Sequence, residues 1–349
     1  MRRAAGASGS PSSALRVRHV VAAIAFAVVA TAVGLSVGSV HVPVTAILSD
    51  VAWRLGLGGH PMNRLDDVIV WTLRAPRVVL ALLVGGTLAV AGGAYQGVFR
   101  NPLADPYLLG IAAGAGLGAT IAIVVIGGGA SDPTVTPIFA FVGGLLAVSL
   151  TWLVAGRGST GPTTLILAGV AVASMLAAGQ TLLQQTSTLA VTHVYYWLLG
   201  SLAGATWSGI EGVLPYMAVS VVVCLSCARL LDVLAVGELE SASLGLPVVA
   251  VRTIVIAAAS LGAAAAVAAA GLIGFVGIVV PHAVRLLVGV SYRRILVLSL
   301  FGGAGFLVLA DVLARSVLRG QELPIGVVTA LLGVPFFVLV LHVRRLRLR

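Results

Sequence analysis

From position 20 onward, apolar runs recur along almost the whole chain, separated by short breaks rich in glycine, proline and arginine. They lie at about 20–37, 78–99, 108–126, 138–154, 165–183, 213–228, 248–270, 272–290, 295–314 and 325–341. Each approaches the ~20 residues that a helix needs to cross a hydrocarbon core. The pattern predicts an all-α integral membrane protein of about ten transmembrane helices. It has a tail over 1–19, a transmembrane domain over 20–343 and a basic tail over 344–349. The stretch HVYYWLLGSLAG, at 193–204, is too short to span. Its aromatic residues suit the membrane interface, so it is expected as a short external helix between the fifth and sixth spans.

Composition agrees with the pattern: hydrophobic residues make up 59% of 349 positions and charged ones only 9%, against roughly 25% charged in soluble domains. The net charge of +10 could point to nucleic acid. The arginines, however, sit at helix ends and in tails, among them Arg2, Arg3, Arg16 and Arg18 before the first run. That placement is the positive-inside bias. An even number of spans from a cytoplasmic N-terminus returns the tail VRRLRLR to the cytoplasm and puts Arg100, Arg157, Arg229, Arg293 and Arg294 in cytoplasmic loops. The first run exceeds the roughly 7–15 residues of a signal-peptide core and no clear A-x-A site follows, so it is expected to be retained. The chain is expected in the plasma membrane, multi-pass, with both termini cytoplasmic.

All 21 basic residues are arginine. Without lysine the chain can form neither a P-loop nor a Schiff base. H-E-x-x-H is not present, and no catalytic residue is assigned. Cys224 and Cys227 form a CLSC inside an apolar run and read as packing residues; the six histidines lack metal-ligand spacing, and no metal or cofactor is expected. Asp311 is the most notable acid within a span, and Arg315, four residues on, suggests a helix-end ion pair. Pro281 is expected to break the helix that begins near Gly271, leaving His282 and Arg285 at the end of the eighth span.

Many of the 43 glycines cluster inside spans, as in AGGAYQG, GIAAGAGLG and AAAGLIGFVG, where small residues allow close helix approach. A weak repeat is visible as well. Arg77 opens a run reaching AGGAYQGVFRNP, and Arg252 opens one reaching AAGLIGFVGIVVPH. The two runs start five spans apart, and an odd offset turns the second copy upside down, as in inverted-repeat transporters.

The segment LRAPRVVLALLVGGTLAVAGGAYQGVFRNPLADPYLLGIAAGAGLG resembles the FecCD/BtuC-type permeases of binding-protein-dependent ABC importers, which include vitamin B12, haem and ferric-siderophore systems. The resemblance resumes at LAVGELESASLGLP, GLIGFVGIVVPHAVRL, LADVLAR and ELPIGVVTALLGVPFF, and covers the chain from about residue 70. It implies a half-transporter that pairs with a second permease copy or paralogue around one pathway. ABC ATPase subunits would lie inside and a substrate-binding protein outside. A ferric siderophore is the foremost expected cargo, with haem or cobalamin as alternatives. The competing class is an ion-coupled secondary transporter, which would need chains of buried acids or histidines that this sequence lacks.

The resemblance also implies site residues. Leu234, Gly237, Glu238, Leu244, Gly245 and Pro247 match the loop that couples the permease to its ATPase, with Asp232 and Glu240 beside them. Ala242 departs from the family, many members of which carry Arg there. Asn101, Pro102 and Leu103, and the 158–164 loop with Thr163, match cytoplasmic gate regions. Arg74, Arg77 and Arg315 fall on the external side, against the positive-inside trend, and match arginines that receive acidic residues of the binding protein.

Overall fold

The computed structural model describes residues 17–126, 134–156, 161–318 and 320–347. Arg2, Arg3 and Arg16 of the N-terminal tail, Arg157 and the start of the 158–164 loop lie outside the described residues. The described residues form α1 (Val17–Ser36), α2 (Val44–Arg54), α3 (Arg64–Asp67), a π-helical segment (Val68–Arg74), α4 (Ala75–Val98), α5 (Ile111–Val124) and α6 (Val135–Ala155). Then follow α7 (Pro162–Gln184), α8 (Thr188–Leu198), α9 (Trp207–Ser226), α10 (Ala228–Leu234), α11 (Glu238–Ser243), α12 (Val248–Ala270), α13 (Val276–Val288), α14 (Tyr292–Ser316) and α15 (Ile325–Arg347). Among the described residues, seven helices are long and apolar enough to cross a membrane, and three shorter apolar ones, α5, α13 and α15, occupy the other expected runs.

The second run is longer than its apolar pattern indicates. Arg64–Val98 forms one continuous helical stretch of 35 residues, about 52 Å at 1.5 Å per residue. That exceeds a hydrocarbon core of about 30 Å, so its polar start projects beyond it. Asn63 caps this start by accepting the Asp66 amide at 2.9 Å. Pro76 supplies no amide donor, and the turns before it widen into the π segment that ends at Arg74.

Two expectations are corrected. The expected short helix is α8 at Thr188–Leu198, shifted towards the N-terminus; Gly200, at φ +74°, ends the turn that follows it, and the next amide, of Ser201, bonds to Ala270 O at 2.9 Å. Pro281 does not break its helix. The break lies earlier, where Gly271 and Phe275 adopt positive φ, and Pro281 sits inside α13. The carbonyl of Gly277, four residues before Pro281, is approached instead by Gln96 Nε2 at 3.4 Å. Within a span such a substitute donor is what makes proline tolerable.

The centre of the bundle is built by α4, packed between α14 and α12. Glycines bring these backbones together: a methyl group added to Gly85 would strike the carbonyl of Gly303, and one on Gly303 the carbonyl of Gly85. Gly114 of α5 and Gly143 of α6 exclude each other's substitution in the same way. α4 and α12 run in opposite directions: Arg100, just past the end of α4, and Arg252, near the start of α12, both meet Glu238, whereas Leu80, near the start of α4, shares a cavity with Ala268, Ala269 and Ala270 at the end of α12. That orientation is the one the inverted repeat requires.

Candidate functional site

Successive spans carry the sequence-marked residues to two opposite ends of the bundle. At the first, the Arg77 end, Arg77 Nε donates to both carboxylate oxygens of Asp311 at 3.0 Å, and Nη1 donates to Glu322 at 2.9 Å. Asp311 is only 1% exposed. Arg315 approaches it less closely, at 3.5 Å, and gives its Nη2 hydrogen bond to Gly34 O. The Asp311–Arg315 pair read from spacing is therefore subsidiary, and the main partner of Asp311 comes from α4. Arg74 is 5% exposed and serves the C-terminus of α1, where its Nη1 donates to Leu35 O at 2.8 Å and Ser36 O at 2.9 Å. These carbonyls are among the last four of α1 and lack helical partners, and a cation there also suits the helix dipole. All three arginines, with Glu322, line one depression of about 470 Å³.

The second, the Glu238 end, holds the segment between α9 and α12. Leu234 is fully buried on α10. Gly237, at φ +151°, turns the chain into α11, whose Ser241 hydroxyl reaches back to Val233 O at 2.9 Å. The close of α11 is a Schellman turn: Leu246 N bonds to Ser241 O at 3.0 Å, Gly245 N to Ala242 O at 2.9 Å, and Gly245 takes φ +82°. Pro247 then leads into α12. The family-like spacing of Gly237, Gly245 and Pro247 thus specifies a rigid short helix. Its Leu239 and Leu244 are 85% and 71% exposed.

Glu238 anchors this helix. It accepts from Arg252 Nη2 at 2.5 Å and lies 3.8 Å from Arg100. Arg252 is buried on α12, whereas Arg100 precedes Asn101, Pro102 and Leu103 in the loop after α4, itself at φ +47°. One carboxylate therefore joins the α11 segment to the expected gate loop. Asn101 holds that loop by accepting the Leu103 amide at 3.0 Å. Further along it, burial pushes the Asp105 carboxyl up to about 6, although the Tyr107 amide at 2.7 Å pulls it down. Tyr107 in turn bonds to Ile273 O at 3.1 Å, in the break between α12 and α13. Thr163 lies in the first turn of α7, exposed, and no hydrogen bond joins it to the 101–103 loop.

Asp232, beside that segment in sequence, caps α14, accepting from Tyr292 N at 2.5 Å and Ser291 Oγ at 3.0 Å. His282 is 2% exposed and packs against the rings of Phe336 and Phe337. Cys224 and Cys227 are buried and form no disulfide, and no metal-binding cluster of acids, histidines and cysteines occurs among the described residues.

The FecCD transport family matches residues 25–343, nearly the whole chain. The chain belongs to this family. It is 43% identical over 287 residues to the cobalamin import system permease protein BtuC of Halobacterium salinarum, covering 80% of this chain and 75% of that protein. It is 39% identical over 325 residues to the uncharacterized ABC transporter permease protein YvrB of Bacillus subtilis, covering 90% and 91%. The fold matches an inward-facing structure of a transporter assigned to the metal-chelate ABC type at TM-score 0.83 and 27% identity, covering 94% of this chain and 99% of that one. This member of the FecCD family is thus a multi-pass ABC importer permease. Sequence reasoning missed Glu322 as a partner of Arg77 and Arg100 as a partner of Glu238, because both pairs join distant segments whose separation has no periodic signature.

Proposed function

We propose that this permease moves a metal chelate of the corrinoid class across the plasma membrane, driven by ATP hydrolysis on a partner ATPase bound at the Glu238 end. The name of the Halobacterium salinarum relative favours a corrinoid over the ferric siderophore foremost in the sequence reading. The Glu238 end and both termini face the cytoplasm in this reading, which agrees with the basic residues gathered there. The observation that carries it is α11: a rigid helix presenting Leu239 and Leu244, pinned through Glu238 to α12 and to the 101–103 loop. Exposed leucines on so well fixed a loop call for a protein partner, and the Glu238 link offers a mechanical route from that partner to the gate. A second permease copy completes the pathway. The buried acid Asp311, which an ion-coupled carrier would need free, is held by Arg77.

At the Arg77 end, the substrate-binding protein docks over the depression lined by Arg74, Arg77 and Arg315. Arg74 and Arg315 are committed to backbone carbonyls of the α1 end, so they shape this mouth. Arg77 is the docking contact, exchanging Glu322 for an acidic residue of the binding protein. Replacement of Leu239 and Leu244 by Asp should abolish copurification of the ATPase while the chain stays in the membrane. Undiminished copurification would refute docking on α11.

A further inference from the structure

A cavity of about 870 Å³ at the Glu238 end is lined by Arg100, Arg229, Arg285, Arg293 and Arg294 with a single acid, Asp232. We infer that this cavity binds the phosphate headgroup of an acidic phospholipid. The charge is left uncompensated by the protein itself. Asp232 spends both carboxylate oxygens on the α14 N-terminus, as above, and forms no ion pair within 4.0 Å among the described residues. Arg100 has only the 3.8 Å approach to Glu238, and Arg229, Arg285, Arg293 and Arg294 have no ion-pair partner there.

The donors are positioned rather than merely numerous. Arg285 is held over the Tyr292 ring at 5.2 Å and against Gln96 Oε1 at 3.2 Å, yet its Nε is buried without a hydrogen-bond partner. Arg294 Nε is buried and unpartnered in the same way. Guanidinium groups so placed match phosphate oxygens in geometry as well as charge. Val236 and Val290, which line the cavity, are 67% and 73% exposed, and Leu286 and Leu287, next to Arg285 in the last turn of α13, are 58% and 81% exposed. A basic cavity at the end of membrane spans, with exposed aliphatic side chains leading away from it, fits an amphiphile with an anionic head and acyl chains. An acidic side chain of another protein would satisfy the arginines but leave that aliphatic flank uncovered. The inference rests on the chain spanning the membrane and needs neither its orientation nor its ATPase.

The test uses the full-length chain purified in neutral detergent. Dioctanoyl phosphatidylglycerol, dioctanoyl phosphatidylcholine and inorganic phosphate are titrated while thermal unfolding is followed. Phosphatidylglycerol should raise the unfolding temperature, at concentrations at least about tenfold below those at which phosphatidylcholine acts. Inorganic phosphate at equal concentration should have no such effect. The Arg229→Gln/Arg293→Gln/Arg294→Gln variant should lose at least about tenfold in phosphatidylglycerol affinity, whereas Arg64→Gln, at the opposite end, should retain it. Should the triple variant fail to fold, Arg293→Gln alone changes an exposed side chain and should give a partial loss. Equal responses to the two lipids, an equal response to phosphate alone, or unchanged affinity in the Arg293 variants would overturn the assignment.

Discussion

Arg77 and Asp311, 234 positions apart in sequence, meet through two hydrogen bonds of 3.0 Å and tie α4 to α14 at one end of the bundle. Removing the carboxylate would leave Arg77 and Arg315 facing each other in a nearly buried site. Asp311→Asn should therefore destabilise the chain by about 3–5 kcal/mol. Glu322, whose side chain is 48% exposed, binds the same guanidinium, but Glu322→Gln should cost only about 0–1 kcal/mol. Thermal unfolding in detergent separates the two, and equal losses would show that burial does not control this network.

The Gly85 and Gly303 contact makes a steric prediction. Gly85→Val must push α14 away from α4, because the added carbon meets a backbone carbonyl rather than a movable side chain. Gly212 of α9 has no atom within 4 Å of an added carbon, so Gly212→Ala should change stability by no more than about 1 kcal/mol. Yield of folded protein after membrane extraction should collapse for the first variant and hold for the second.

The spans were legible because lipid forces each one to be long, apolar and helical, and the apolar runs mark that requirement directly. The ends of α11 are encoded locally as well, by Gly237, Gly245 and Pro247. What the sequence hid was mostly tertiary. Spacing pairs Asp311 with Arg315, and only the packing of α14 on α4 puts Arg77 closer. The helical extension before Arg77 was hidden because Arg74, Pro76 and Arg77 interrupt the apolar stretch from Val68 to Leu73. Pro281 reads as a helix breaker until Gln96 is seen beside the freed carbonyl of Gly277.

Two carboxylates outside the spans should give opposite pH responses. Burial would raise Asp50, but hydrogen bonds from Arg54, the Met62 amide and Trp71 outweigh it and hold the group below its ordinary value. Its contribution is complete above the unfolded pKa and is lost as pH falls through the lower folded one. Asp105, raised to about 6, works the other way: the folded chain binds the proton more tightly and gains stability as pH falls from about 6 towards 4. Asp105→Asn should therefore raise stability at pH 8, by up to about 3 kcal/mol at 1.36 kcal/mol per pKa unit. Asp50→Asn should lower stability at pH 8 and flatten the acid loss. Unfolding temperature against pH for both variants checks the signs.

Glu238 should matter more for transport than for assembly. Glu238→Gln removes the charge that joins α11 to Arg252 and Arg100 while leaving Leu239 and Leu244 in place. The ATPase should still bind, but more ATP should be hydrolysed per chelate moved. Arg100→Gln should have a smaller effect, because its approach to Glu238 is exposed and 3.8 Å long. The stoichiometry of hydrolysis to uptake in proteoliposomes measures both.

Energised uptake by the assembled importer is the most direct measurement of this function. The chain, reconstituted in liposomes with its ATPase and binding protein, should accumulate labelled cyanocobalamin only when ATP is present on the Glu238 side. The Leu239→Asp/Leu244→Asp variant should abolish that accumulation. Uptake that needed no ATP and followed an imposed proton or sodium gradient would contradict it.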